Sequence, residues 1–402
     1  MNAPTSPAES RLSPIVRAAI LALGAAVALG FGRFAYALIL PDMRADLDWS
    51  YSQAGWMNGV NAAGYLAGAL VAARFGARFG HRALFTFAVL VTALSILATG
   101  LTRNFELLTL FRLLTGLTGA FVFVIGGAMT AQLSSGGGPR ATLIAGLFYA
   151  GPGFGMAVTG FFIPAYSAAY GPAGWQGAWL LLGLCSILAG AVSLIGLPAR
   201  PVAKVQSRKA AGTFPVRSAL PALFAYMAFG GGYIGYMTFI FALLRQVGAT
   251  ATELSVFWIL TGLSGMLSPW VWARLIGGLP HGRGLSALMG ITCLGAAIPL
   301  VLPTMQAAYV SGIIFGSAFL AVVAATTAFV RRNAEPEYWT SGIAAFTIVF
   351  GFGQTFGPLL VGLMSDRAGS LSTGLWYGCL FLVIGMVLAA VQSDISTGNR
   401  GG

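Results

Sequence analysis

The stretch GFGRFAYALILP, residues 30–41, returns 200 positions later as GGGYIGYMTFIF, residues 230–241. Aligned, the two pair Gly30 with Gly230, Gly32 with Gly232, Arg33 with Tyr233 and Tyr36 with Tyr236. Both copies lie inside apolar runs, so the chain reads as an internally duplicated, all-α membrane protein. Arg33 is the exception within its run. Insertion scales charge ~2.5–3.5 kcal/mol for an arginine at the centre of a membrane helix, so one retained there marks a functional candidate.

Composition agrees with that class. The 402 residues are 57% hydrophobic and 8% charged, against roughly 25% charged in soluble domains, and mean hydropathy is +0.83. Apolar spans are read at 15–41, 52–73, 83–101, 105–131, 142–166, 175–197, 218–244, 253–273, 284–303, 305–329, 339–364 and 373–393. Each is near the ~20 residues that cross the hydrocarbon core, giving twelve transmembrane helices. The first is too long for a cleaved signal peptide and lacks a small-residue cleavage site.

A net charge of +12 suggests nucleic acid until the basic residues are assigned to sides. With the N-terminus inside, sixteen of them fall on the cytoplasmic side, while Arg44, Arg103, Arg245 and Arg367 fall outside. This positive-inside pattern predicts two cytoplasmic termini and leaves no need for a nucleic-acid partner. Cys185, Cys293 and Cys379 lie in spans without ligand spacing, which argues against a disulfide framework or zinc site. Met227, Met237 and Met266 read as core packing rather than a soft-metal path. No nucleotide loop or nucleophile triad appears, so neither a cofactor nor enzymatic activity is expected.

The polar segment 199–217 carries Arg200, Lys204, Arg208, Lys209 and Arg217 with Pro201 and Pro215. It reads as a cytoplasmic linker between an N-terminal six-helix bundle, 1–198, and a C-terminal one, 218–402. Near the same offset Gly116 meets Gly316, Gly64 meets Gly265, and Gly151-Pro152 meets Gly357-Pro358. Parallel repeats of six crossings are related by an axis along the membrane normal, which predicts two pseudo-symmetric bundles around a central cavity.

Three more motifs carry a resemblance. The stretch ARFGARFGHR, residues 73–82, shares Arg78, Gly80 and Arg82 with the pattern G-x-x-x-D-R-x-G-R-R/K, departing from it at Ala73, Ala77 and His81. RLLTGLTGA, residues 112–120, matches R-x-x-x-G-x-x-G, and GLFYAGPGFG, residues 146–155, is similar to a glycine-proline motif of antiporters. With GFGRFAY and SYSQAGWMNGVNAAGYLAGAL, residues 50–70, the chain resembles the major facilitator superfamily, and within it the YbfB/YjiJ-type branch. The resemblance implies a cavity lined by helices one, four, seven and ten. It also implies that Arg78, Gly80 and Arg82 brace the cytoplasmic ends in an outward-open state. The expected protein is a monomeric secondary transporter of the bacterial inner membrane, working by alternating access.

Arg33 and Arg112 sit about eight and seven residues from the outer ends of their spans, placing both ~10–12 Å below the outer interface. Two forked guanidinium groups facing one cavity suit a carboxylate or phosphate ligand. The alternative is that either arginine bonds backbone carbonyls, or that Arg112 pairs with Glu106 or Asp42. Tyr36, Asn58, Asn61, Tyr226, Tyr233, Tyr236 and Gln354 complete the candidate substrate-binding set, with helix-to-helix hydrogen bonding as the other reading. Gly151, Pro152, Gly357 and Pro358 read as bends that let the bundles rock.

No acidic residue stands at the middle of a span. The chain is therefore expected to exchange anions, to carry a proton on its substrate, or to relay one through Asp42 or Glu106 near the outer mouth. The expected cargo is a small organic anion, a carboxylate, moved with a proton or against a counter-anion. A broad-specificity drug or metabolite exporter and a non-transporting membrane sensor are the alternatives.

Overall fold

The computed structural model describes residues 12–133, 138–198, 214–393 and 395. The expected linker therefore lies outside the described residues up to position 213. The described residues form helices and connecting turns, with no strand among them. The first half contains α1, Pro14–Asp46; α2, Tyr51–Phe79; α3, His81–Thr99; α4, Phe105–Leu133; α5, in two pieces, Gly138–Tyr149 and Gly151–Tyr170; and α6, Trp175–Ile195. The second contains α7, Leu220–Gln246; α8, Ala251–Val271; α9, Arg283–Val301; α10, Met305–Asn333; α11, Trp339–Ala368; and α12, Leu371–Ala390.

Among the described residues, nine helices are long and apolar enough to cross a membrane, ten if the bent α5 is one crossing. The remaining two helices are α2 and α8, mates in the duplication, and α2 is the more polar, with Gln53, Asn58, Asn61, Arg74 and Arg78 along it. Both turn a face to the opposite half, α2 along α11 and α8 along α5. Polar residues are tolerated on such a face because protein rather than lipid covers it.

Helix starts repeat as the sequence does. Ser50 caps α2 in a capping box with Gln53, and Thr250 caps α8 in a capping box with Glu253. Asn104 Oδ1 accepts from the Leu107 amide at the head of α4, and Thr304 Oγ1 accepts from the Ala307 amide at the head of α10. Each pair is 200 positions apart, and each cap satisfies an otherwise orphaned amide. Packing repeats with an offset of six helices: α2 lies on α4 and α8 on α10, α3 on α6 and α9 on α12, α1 on α5 and α7 on α11.

Glycine sets how closely these helices meet. A Cβ on Gly30 would fall 2.6 Å from the Gly155 Cα of α5, so α1 and α5 touch backbone to backbone. Gly30→Val is expected to cost about 1–3 kcal/mol, the usual range for overpacking. Its measure is the thermal unfolding midpoint of detergent-purified protein, and an unchanged midpoint would contradict the contact. Gly80 joins α2 to α3 at φ +83°, a conformation that side chains other than glycine rarely adopt.

Candidate functional site

Close contact at Gly30 coincides with a change in the helix itself. Residues Ala26–Phe34 of α1 form a π-helical segment, in which the Ala35 amide donates to the Gly30 carbonyl at 2.9 Å. Such wide turns re-aim the side chains that follow and recur at functional sites. Arg33 lies on this segment, thirteen residues before Asp46, roughly 20 Å along the helix. The helix itself continues five residues past the expected span, to Asp46. Arg33 is 4% exposed, and its Nε and Nη2 are enclosed without a hydrogen-bond partner. Its guanidinium lies 5.5 Å from the Tyr65 ring centroid, and the next residue, Phe34, meets the Phe319 ring that stacks on Tyr233. The Tyr233 hydroxyl accepts a hydrogen bond from the Gln354 amide of α11. The structure thus sets Arg33 against Tyr65 and pairs Tyr233 with Gln354 one ring away, across Phe319.

Arg112 has a different environment. It is 2% exposed and donates from Nη1 to the Gly32 carbonyl at 2.6 Å, from Nε to the Met57 carbonyl at 3.4 Å and from Nη2 to Asn58 Oδ1 at 3.5 Å. Its guanidinium also lies 4.7 Å from the Tyr36 ring and 5.7 Å from that of Trp179. The carbonyl-bonding alternative thus describes Arg112, and it pairs with neither Glu106, which is exposed, nor Asp42. Asn61 donates to the Arg112 carbonyl at 3.0 Å and the Tyr36 hydroxyl to the Ala54 carbonyl at 2.8 Å. Asn58 donates to Thr238 of α7 at 2.6 Å. Tyr36, Asn58, Asn61 and Arg112 therefore form a second cluster whose polar groups bond one another and the backbone.

Beside Arg33 the rings of α7, α10 and α11 line up nearly parallel. Tyr226 and Phe350 stack at 4.4 Å and 9°, Tyr233 and Phe350 at 5.8 Å and 6°, Tyr233 and Phe319 at 5.8 Å and 19°. Tyr226 belongs to this ladder, whereas Tyr236 is turned to α10, where it bonds Ser311 at 2.6 Å. Sequence reading missed Tyr65, Phe319 and Phe350. Tyr65 was within reach of it, since it follows Asn61 by four residues and Asn58 by seven on one helical face.

The Asp46 end, expected to be the outer side, is sealed between the halves. Asp42 is 3% exposed rather than at a mouth, because the run 42–46 extends the helix instead of forming a loop. It accepts from Arg245 Nη1 of α7 at 2.5 Å and from Ser167 of α5 at 2.5 Å. Asp366 of α11 accepts from the Tyr51 and Ser52 amides at the head of α2, at 2.8 and 2.9 Å. Gln246 donates to the Tyr51 hydroxyl at 2.8 Å.

The expected bends differ from each other. The two pieces of α5 meet at 40° immediately before Gly151-Pro152, whereas α11 runs uninterrupted through Gly357-Pro358. There Gly357 packs on Gly231, and the Pro358 carbonyl faces Gly55 of α2. At the opposite end Arg82 donates to the Pro198 carbonyl at 2.5 Å, tying α3 to the end of α6. Arg78 is exposed and lies 5.4 Å from the Phe79 ring.

A bacterial homologue of the human lysosomal transporter Spinster, solved inward-facing and occupied, is similar in fold. It has 17% identity and a TM-score of 0.72, over 97% of this chain and 99% of that one. The nucleoside transporter NupG is similar at 14% identity and a TM-score of 0.70, over 94% and 98%. The family profile described as "Uncharacterised MFS-type transporter YbfB" matches residues 25–390. This multi-pass membrane protein thus belongs to the YbfB-type family of major facilitator transporters.

Proposed function

We propose that the protein is a secondary carrier of a small organic anion, a carboxylate, and that Arg33 is the group that binds it. The observation that carries this reading is a guanidinium at membrane depth with two enclosed, unpartnered nitrogens. A charge held there without a partner is costly to retain, and a carboxylate would supply the missing acceptors. Tyr233 and Gln354 support the ligand from the other half, while Arg112 with Tyr36, Asn58 and Asn61 fixes the frame around it. The repeated packing supports two bundles, 1–198 and 218–402, with α2 and α8 completing twelve crossings. They rock as the α5 break and the Gly357-Pro358 contact with α2 rearrange. The sealed Asp46 end corresponds to a state closed on the outer side of a bacterial inner membrane, with both termini in the cytoplasm. Arg33 repels cationic drugs, which disfavours the broad exporter. Either a counter-anion or a proton travelling with the substrate completes the cycle.

The test is a thermal-shift panel of carboxylates, inorganic phosphate, sugars, nucleosides and cationic drugs on the purified monomer. A ligand at 100 times its Kd stabilises the folded state by about 2.7 kcal/mol, a readily measured shift. A carboxylate is expected to raise the midpoint and to support counterflow in proteoliposomes. Shifts confined to nucleosides or cationic drugs would sink the anion assignment.

A further inference from the structure

A cavity of about 550 Å³ lies where α7, α11 and α12 meet, lined from 224–231, 352–360 and 381–388 by Phe, Met, Ala, Gly, Leu and Ile alone. Small-molecule sites of ~300–1,000 Å³ place a few polar groups to orient their ligand, and this one has none. Its occupant is therefore apolar, which separates it from the carboxylate proposed for Arg33.

The rim shows where such an occupant comes from. Phe224, Phe352, Phe356 and Ile384 are exposed there, on three helices long and apolar enough to cross a membrane. The groove is thus continuous with the surface that this multi-pass protein turns to lipid. Each wall runs roughly 10–12 Å along its helix, most of the ~15 Å of hydrocarbon in one leaflet. A chain lying parallel to the helices fits along it.

The floor is bare without helix packing requiring it. A Cβ on Gly231 would stand 3.4 Å from the Gly353 carbonyl, 3.6 Å from the Gly357 Cα and 3.7 Å from the Phe381 ring, all ordinary contacts. Gly353 and Gly357 differ, since they press on the backbone of Met227 and Gly231 and leave no room for a side chain. At the position aligned with Gly231 the first half carries Phe31, which is buried. The second half thus leaves open a place that a ring takes in the first. Lipid tails are as apolar as the groove, so the hydrophobic effect does not draw one in. Dispersion does, because an unfilled space costs its lining the contacts on that side.

We propose that this groove is a binding site for one lipid acyl chain, seated over Ala228 and Gly231 with the phenylalanines of α11 and α12 at its sides.

The test uses the purified full chain in phosphatidylcholine vesicles in which a minor share of the lipid carries a diazirine midway along one acyl chain. After irradiation, peptide mass spectrometry locates the insertions. They are expected on the floor, at Met227, Ala228 and Gly231, as well as at open lipid-facing positions such as the exposed Leu184 and Leu188 of α6. Ala228→Phe puts a ring in the groove and should lower floor insertion several-fold while leaving α6 unchanged. Ala228→Leu should give a smaller loss in the same direction and replaces it if the larger side chain prevents folding. Wild-type insertion confined to the rim and α6 would overturn the site, as would floor insertion that neither variant reduces. Floor insertion that vanishes at high protein-to-lipid ratio, with α7 and α11 peptides cross-linked between copies, would give the groove to a second copy and overturn it too. None of these outcomes depends on what Arg33 binds.

Discussion

Arg33→Gln abolishes carboxylate binding, and the same position changed to methionine makes the unliganded protein more stable. The first effect follows from two charged hydrogen bonds to the ligand, each worth about 1.5–3 kcal/mol, so affinity should fall at least 100-fold at 1.4 kcal/mol per decade. The second follows from the enclosed, unpartnered Nε and Nη2. Removing a buried guanidinium that has only the Tyr65 ring against it and two unpartnered nitrogens relieves a cost of about 2–3 kcal/mol, as expected where binding and stability compete. Arg33→Lys keeps the charge but not the fork, and should retain part of the affinity. Arg112→Met serves as the contrast, since it strands the Gly32 and Met57 carbonyls and should lower the midpoint. If Arg33→Met and Arg112→Met shift stability in the same direction, the division of labour between the two arginines is wrong.

Cutting the Asp42–Arg245 pair opens the Asp46 end. A fully buried pair costs 3–5 kcal/mol when one partner is removed. Here the Arg245 side chain is 27% exposed, which leaves about 2 kcal/mol, a shift of roughly 30-fold in the closed-to-open ratio. Spin labels at Leu101→Cys and Val247→Cys, in a background lacking Cys185, Cys293 and Cys379, report the separation of the two halves. Asp42→Asn and Arg245→Gln should each move the distance distribution to longer values, and the exchanged pair Asp42→Arg with Arg245→Asp should recover part of the short population. An unchanged distribution in both single variants would show that the seal depends on other contacts.

The duplication and its caps are local matters and were legible: glycine, serine, threonine and asparagine at fixed offsets state where helices start and approach. Arg33 was legible because one charge in an apolar run is conspicuous whatever the fold. The end of its helix was not, since Asp42, Arg44 and Asp46 look like a loop when read alone and become helical because Arg245, Ser167 and Trp175 arrive from other helices to satisfy the two carboxylates. The π segment was equally hidden, as its wider turn coincides with a contact to Gly155 more than a hundred residues away. Arg112 shows the same limit from the other side. Its carbonyl partners belong to α1 and α2, and backbone acceptors leave no mark on a sequence.

Asp366 stands in the last turn of α11, where the partial negative charge of that helix's own carbonyls disfavours a carboxylate. Across the seam it reaches the first amides of α2, where the macrodipole is positive and welcomes one. The same side chain is misplaced on its own helix and well placed on its neighbour, each worth typically 0.3–1 kcal/mol near a surface. Parting the halves therefore returns Asp366 to an electrostatically frustrated position. The closed arrangement carries a built-in restoring bias that requires neither ligand nor membrane potential.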